Sequence, residues 1–163
     1  MGIIADILVA TPEEVARYVQ LEPDFDEDDD EAWTEEGEAA WVDPRIGIER
    51  LESKGFTTLE MGFLWADLLG VPWDVDKHLL RHHAHASEED DGSWSTEIFP
   101  DELVDAIITV PAARLEAALA LWHAREELRR AHLDDLRAFF GELQTLARSA
   151  KAQGKGLYLY NVV

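Results

Sequence analysis

"HLDDLRAFFGELQTLARSAKAQGKGLYLYNVV", residues 132–163, changes period part-way along, and that change decides the fold. Leu133, Leu136, Phe140, Leu143, Ala147 and Ala150 recur at steps of three and four, the spacing of one helix face. Gly154 and Gly156 bracket the end of that helix. From Leu157 to Val163 the residues become apolar, aromatic and β-branched, the composition of a strand. The other end of the chain matches it: residues 3–9, IIADILV, form a short apolar run expected to be a buried strand. A chain that begins and ends in strands with helices between them predicts an α+β fold, a small sheet including both terminal strands packed against a predominantly helical layer. At 163 residues and 47% apolar content the chain suits one globular domain, and it shows no repeat and no dividing linker.

The helices between carry start and stop signals. Thr11-Pro12-Glu13-Glu14 combines an N-cap, a proline at the first helical position and a capping-box acid, so a helix is expected from there to about residue 21, ended by Pro23. Ile46, Ile48 and Leu51 predict a short helix stopping near Gly55. Thr57-Thr58-Leu59-Glu60 opens a second capped helix, with Gly70 as its stop. That helix is apolar on more than one side and is expected at the centre. Residues 74–85 are expected to be helical, 87–95 a loop, 96–99 a short strand, and Pro100-Asp101-Glu102 another helix start. Residues 112–130 and 132–153 give the strongest helical periodicities.

Charge is unevenly placed. The net charge is −21, but residues 1–110 carry −23 and residues 111–163 carry +2. Residues 22–38 hold eleven acids and no base, a block that repels itself and predicts a solvated loop or loose helix. Such a surface disfavours nucleic acid, whose binding needs clustered Lys and Arg, and favours a basic protein partner. Asp24, Asp26, Asp28, Asp29 and Asp30 are the candidate partner-binding acids, and Trp33, Trp73 and Trp94, which flank polar loops, are candidate anchors. Asp24, Asp26, Asp28 and Glu35 echo calcium-loop spacing, but Asp29 stands where that loop needs glycine, so only weak cation attraction is expected. The alternative reading of such acidity is solubility, or adaptation to a high-salt cell interior.

Function classes narrow further. There is no cysteine, hence no disulfide, thiolate nucleophile or Cys-based zinc site. No apolar run approaches the ~18 residues of a membrane span, and the N-terminus lacks the basic flank of a secretory signal. A soluble cytoplasmic protein is expected, with no membrane partner. Gly154-Lys155-Gly156 lacks the rest of a phosphate loop, and no catalytic signature stands out.

"KHLLRHHAHASEEDD", residues 77–91, holds four of the six histidines. On a helix over 74–85, Asp74, His78 and His82 would share one face, with His85 three residues beyond, a pattern that could ligate Zn²⁺ or Ni²⁺. The glutamate of an H-E-x-x-H hydrolase is missing, and Arg81 opposes a cation. The competing reading is a solvated helix end whose imidazoles favour the dipole's negative pole. The two leading functional readings are therefore a non-enzymatic interaction protein and a metal-binding protein or metal-dependent enzyme. A homodimer through residues 112–153 is a third.

The order of segments resembles a family. An MGII strand, a T-P-E-E helix start, TTLEMGFLWADLLG, TEIFPDELVDAI and the helix-to-strand end together look like the YfbM-like bacterial domain of unknown function. The acidic stretch 22–38 departs from it, as does the lack of a Trp-His pair after Trp41. The resemblance implies an α+β fold and assigns no activity, ligand or catalytic residue.

Overall fold

The computed structural model describes residues 4–19, 43, 45–86 and 94–162, with Ile4 and Lys54 as backbone alone. Five strands and five helices lie among them: β1 (Ile4–Ala10), α1 (Pro12–Tyr18), β2 (Glu49–Lys54), α2 (Thr58–Leu69), β3 (Arg81–His85), β4 (Trp94–Ile98), α3 (Asp101–Thr109), α4 (Ala112–His123), α5 (Leu133–Gln153) and β5 (Gly156–Val162). The strands form one antiparallel sheet in the order β2-β1-β5-β4-β3. The terminal strands β1 and β5 are direct neighbours, with Ile4 opposite Val162 and Ala10 opposite Gly156. This is the expected α+β arrangement.

Alternation along the strands sorts their side chains to two faces. Ala5, Ile7 and Val9 of β1, Leu51 of β2, and Leu157 and Leu159 of β5 face the layer of α2 to α5 and join the larger core. Leu8, Ala10, Tyr158 and Tyr160 face the other way and pack with Val15 and Tyr18 of α1 and with Ile48. Within the helical layer, fully buried Trp122 donates its indole N–H to the Glu60 carbonyl at 2.9 Å. Its ring stacks on Phe56, 5.2 Å between centroids, and Phe56 stacks in turn on Phe139 at 4.4 Å.

Both capping signals operate. Thr11 and Glu14 close a reciprocal box on α1, and Thr57 and Glu60 close another on α2. Gly70 ends α2 at φ 67°, a left-handed conformation that glycine adopts without strain.

Three helical expectations are corrected. Residues 49–54 form β2 where a short helix was expected around Ile46–Leu51. Ile48 goes to the α1 side and Leu51 to the opposite side, a two-residue period that pairs with β1 along its length. Residues 74–85 are not a helix: one turn, His78 N–H to Asp74 O at 2.9 Å, gives way to β3. Leu80 is buried and its N–H donates to Thr58 Oγ1 at 3.2 Å, which draws the chain out of helical geometry and into the sheet edge. The helix expected over 112–130 stops at His123. Beyond it Leu128 is buried and Arg125 bonds Asp67 at 3.0 Å, contacts that hold successive turns in place of a helix. The expectations for residues 22–38, Trp33 and Trp41 concern positions outside the described residues.

Candidate functional site

The predicted metal set separates into two pairs. Asp74 and His78 meet through the backbone, with the Asp74 N–H donating to His78 Nδ1 at 3.0 Å. His78 is buried with its ring edge against Trp65, 5.5 Å between centroids. The Asp74 carboxylate binds Lys77 at 3.0 Å and accepts the Asp76 N–H at 3.0 Å, and the lysine first, then that N–H, holds its pKa low. His82 and His85 lie instead on exposed β3, with His82 Nε2 3.1 Å from His85 Nδ1. Among the described residues no group of three or more His, Asp or Glu is placed to hold a metal ion.

The sheet edge explains why His82 and His85 meet. His82 pairs with Glu97 and Ala84 with Thr96, so β3 advances two residues while β4 advances one. His83 is the extra residue of a β-bulge. In a regular strand, residues three apart point to opposite faces; the extra residue restores them to the same face. His83 turns the other way, its ring 5.1 Å from that of Tyr158. On the His82 face the row continues into Glu97, which accepts from Ser95 Oγ at 2.9 Å and from Asn161 Nδ2 at 3.2 Å.

The predicted partner-binding residues divide between the described fold and the acidic stretch 22–38. Asp24, Asp26, Asp28, Asp29, Asp30 and Trp33 lie outside the described residues. Trp73 packs against Phe63 at 5.0 Å and helps seat the connector on α2. Gly62 makes that seat possible: a Cβ there would come within 2.0 Å of the His78 carbonyl oxygen. Trp94 opens β4, half-buried, with its ring 6.4 Å from Tyr160.

Residues 20–42 and 87–93 together hold fifteen of the thirty-five acids and no Lys or Arg. The rest of the chain carries twenty acids against all fourteen bases. The described residues that flank the two segments gather around Tyr160. Tyr18, the last residue of α1, packs edge-on to Tyr160 at 5.4 Å, and Arg45 lies over the Tyr18 ring at 5.9 Å. Trp94, directly after the second segment, reaches the same tyrosine and pairs with Val162. The Ala86 N–H to Trp94 carbonyl bond of 2.9 Å closes the base of that segment.

A polar network at these bases escaped the sequence reading. Tyr18 donates its hydroxyl to buried Asp6 at 2.5 Å, and Arg50 reaches the same phenol at 3.3 Å. Burial, reinforced by the Asp6 bond, pushes the Tyr18 pKa up to about 12. The available signal was Asp6 itself, a lone acid inside the apolar run IIADILV. A second ion pair joins buried Asp67 to half-buried Arg125, which also stacks over Phe63 at 4.6 Å. Burial raises the Asp67 pKa, with Arg125 acting against it.

Surface depressions add no catalytic grouping. One of about 400 Å³ lies between Leu51 and Leu146, with Arg50 and Glu142 at its rim. Another, about 260 Å³, lies beside Phe99, but its lysines, Lys151 and Lys155, are already paired with Asp105 and Glu14. No described helix is long and apolar enough to cross a membrane. A scan against protein-family models and searches of curated proteins and solved structures return no match.

Proposed function

We propose that this protein works by contact, as a non-enzymatic cytoplasmic binding protein whose acidic pole holds a basic protein partner. The observation that carries the reading is that Tyr18, just before the first base-free acidic segment, and Trp94, directly after the second, both pack on Tyr160. Attachment beside a common tyrosine would concentrate charge that is otherwise spread over the surface. A concentrated field of one sign steers an oppositely charged partner and raises its on-rate. Asp24, Asp26, Asp28, Asp29 and Asp30 supply the field, and Trp33 and Trp94 supply apolar anchorage beside it. Trp73, seated on Phe63, belongs to the same proposal as a more distant rim anchor. An antitoxin-like or immunity-like role suits this electrostatics. The YfbM-like resemblance enters only as an architecture and names no activity.

The test begins with the complete chain as bait at low ionic strength, followed by association kinetics with the isolated partner. The on-rate is expected to fall about tenfold or more between about 50 and 500 mM salt. A similar loss is expected at low salt when the five aspartates are changed to asparagine. Salt-insensitive association, or a neutralised variant that binds as fast as the parent, overturns the proposal.

A further inference from the structure

We propose that His82 and His85 form a two-imidazole chelate for a borderline divalent ion such as Zn²⁺, Ni²⁺ or Cu²⁺. The site is independent of the acidic-pole reading and differs from a helical metal site, since it excludes His78 and Asp74. Three observations carry it.

The first is the bite. Two nitrogens about 2.05 Å from one ion and about 90–110° apart are separated by roughly 2.9–3.4 Å. His82 Nε2 and His85 Nδ1 stand 3.1 Å apart, joined by an N–H···N hydrogen bond whose proton an ion would displace, and that separation falls inside the chelating range. The second is the bulge. Residues three apart on a regular strand diverge, and the extra residue His83 turns both rings to one face. Backbone pairing to Glu97 and Ser95 thus holds the two residues on one face of the strand, where their rings can meet. The third is access. Both histidines are exposed on an edge strand, so an ion can reach them without opening the core.

The pair offers imidazole nitrogen alone, which selects Zn²⁺, Ni²⁺ and Cu²⁺ over Mg²⁺ and Ca²⁺. Glu97, across the register from His82, has its carboxylate engaged by Ser95 and Asn161. It steadies the neighbouring row and adds negative potential. The remaining coordination positions are left to water, which makes the bound ion exchangeable and open to an outside ligand.

Titration of the complete chain with Zn²⁺, Ni²⁺ and Mg²⁺ by calorimetry, with no affinity tag present, tests this. One Zn²⁺ or Ni²⁺ per chain is expected, with no Mg²⁺ uptake at the same concentrations. His82→Ala and His85→Ala are each expected to weaken binding at least about tenfold, because one imidazole no longer chelates, and the double variant is expected to bind more weakly still. His83→Ala is expected to bind as the parent does. Circular dichroism of each variant checks that the fold persists. Equal binding by parent and His82→Ala, or a His83→Ala loss as large as the other two, overturns the chelate and leaves a loose attraction of cations to a polar run.

Discussion

The two faces of the sheet are stabilised by different means. One carries α2 to α5 and a core of fully buried large side chains, among them Trp122, Phe140, Leu143 and Leu159. The other carries α1, seven residues long, a smaller apolar cluster and the Asp6–Tyr18–Arg50 network. The helical layer buries polar groups of its own, Glu60, Asp67 and His78, within a much larger apolar core. Where a short helix covers the sheet, the apolar cluster is small and the Tyr18 hydrogen bond to buried Asp6 helps to hold the helix down. Tyr18 and Trp94, which precede and follow the two acidic segments, pack on this second face.

That comparison can be broken most directly at Trp122. Replacing it with alanine removes a fully buried ring, its stacking on Phe56 and its bond to the Glu60 carbonyl. A loss of about 3–5 kcal/mol is expected from urea unfolding. A loss below about 1 kcal/mol would show that the helical layer is not the dominant core.

Tyr18→Phe probes the other face and is expected to cost less, about 1–3 kcal/mol, by leaving Asp6 without its phenol donor. The pH dependence sharpens the assignment. An unfolded tyrosine ionises near pH 10, whereas the folded Tyr18 holds its proton to about pH 12. The neutral phenol is therefore favoured by folding. Its contribution is fully present below about pH 10 and is lost as the pH rises toward about 12, on the order of 2 kcal/mol in all. The variant should lose less stability than the parent across that window; parallel curves would remove Tyr18 from the account.

The smallest effect separates two copies of one device. Thr11→Ala and Thr57→Ala each open a capping box, at about 1 kcal/mol apiece. Hydrogen exchange should rise selectively in α1 for the first. For the second, α2 should stay protected, because Met61, Leu64 and Leu68 remain buried in the larger core. Equal exchange in both helices would erase the contrast between the faces.

The legibility of each element follows the range of the interactions that make it. The starts of α1 and α2 could be read because a Thr and a Glu three residues apart satisfy each other's backbone groups locally. β1 and β5 could be read because their apolar runs are bounded by turn residues. β2 and β3 could not: "GIERLESK" and "DVDKHLLRHHAH" fit helical spacing as well as strand alternation. The candidate site was half legible for the same reason. The histidines were visible, but a helical period joined His78 to His82, whereas the bulge joins His82 to His85. Asp6 was visible as an oddity in a strand, and its partners, twelve and forty-four residues away, were not.

By itself, then, the sequence determined the class of fold, the capped helices, the strands at both ends and the concentration of acids in two base-free stretches. Only the tertiary structure decided that 49–54 and 81–85 are edge strands, that His83 is the extra residue of a bulge, and that Tyr18 and Trp94 converge on Tyr160. The physical reason is the distance over which backbone groups find their partners. A helix satisfies its N–H and C=O groups within four residues, so its signals are local; an edge strand satisfies them on a neighbour far along the chain, and nothing in its own residues says which neighbour that is.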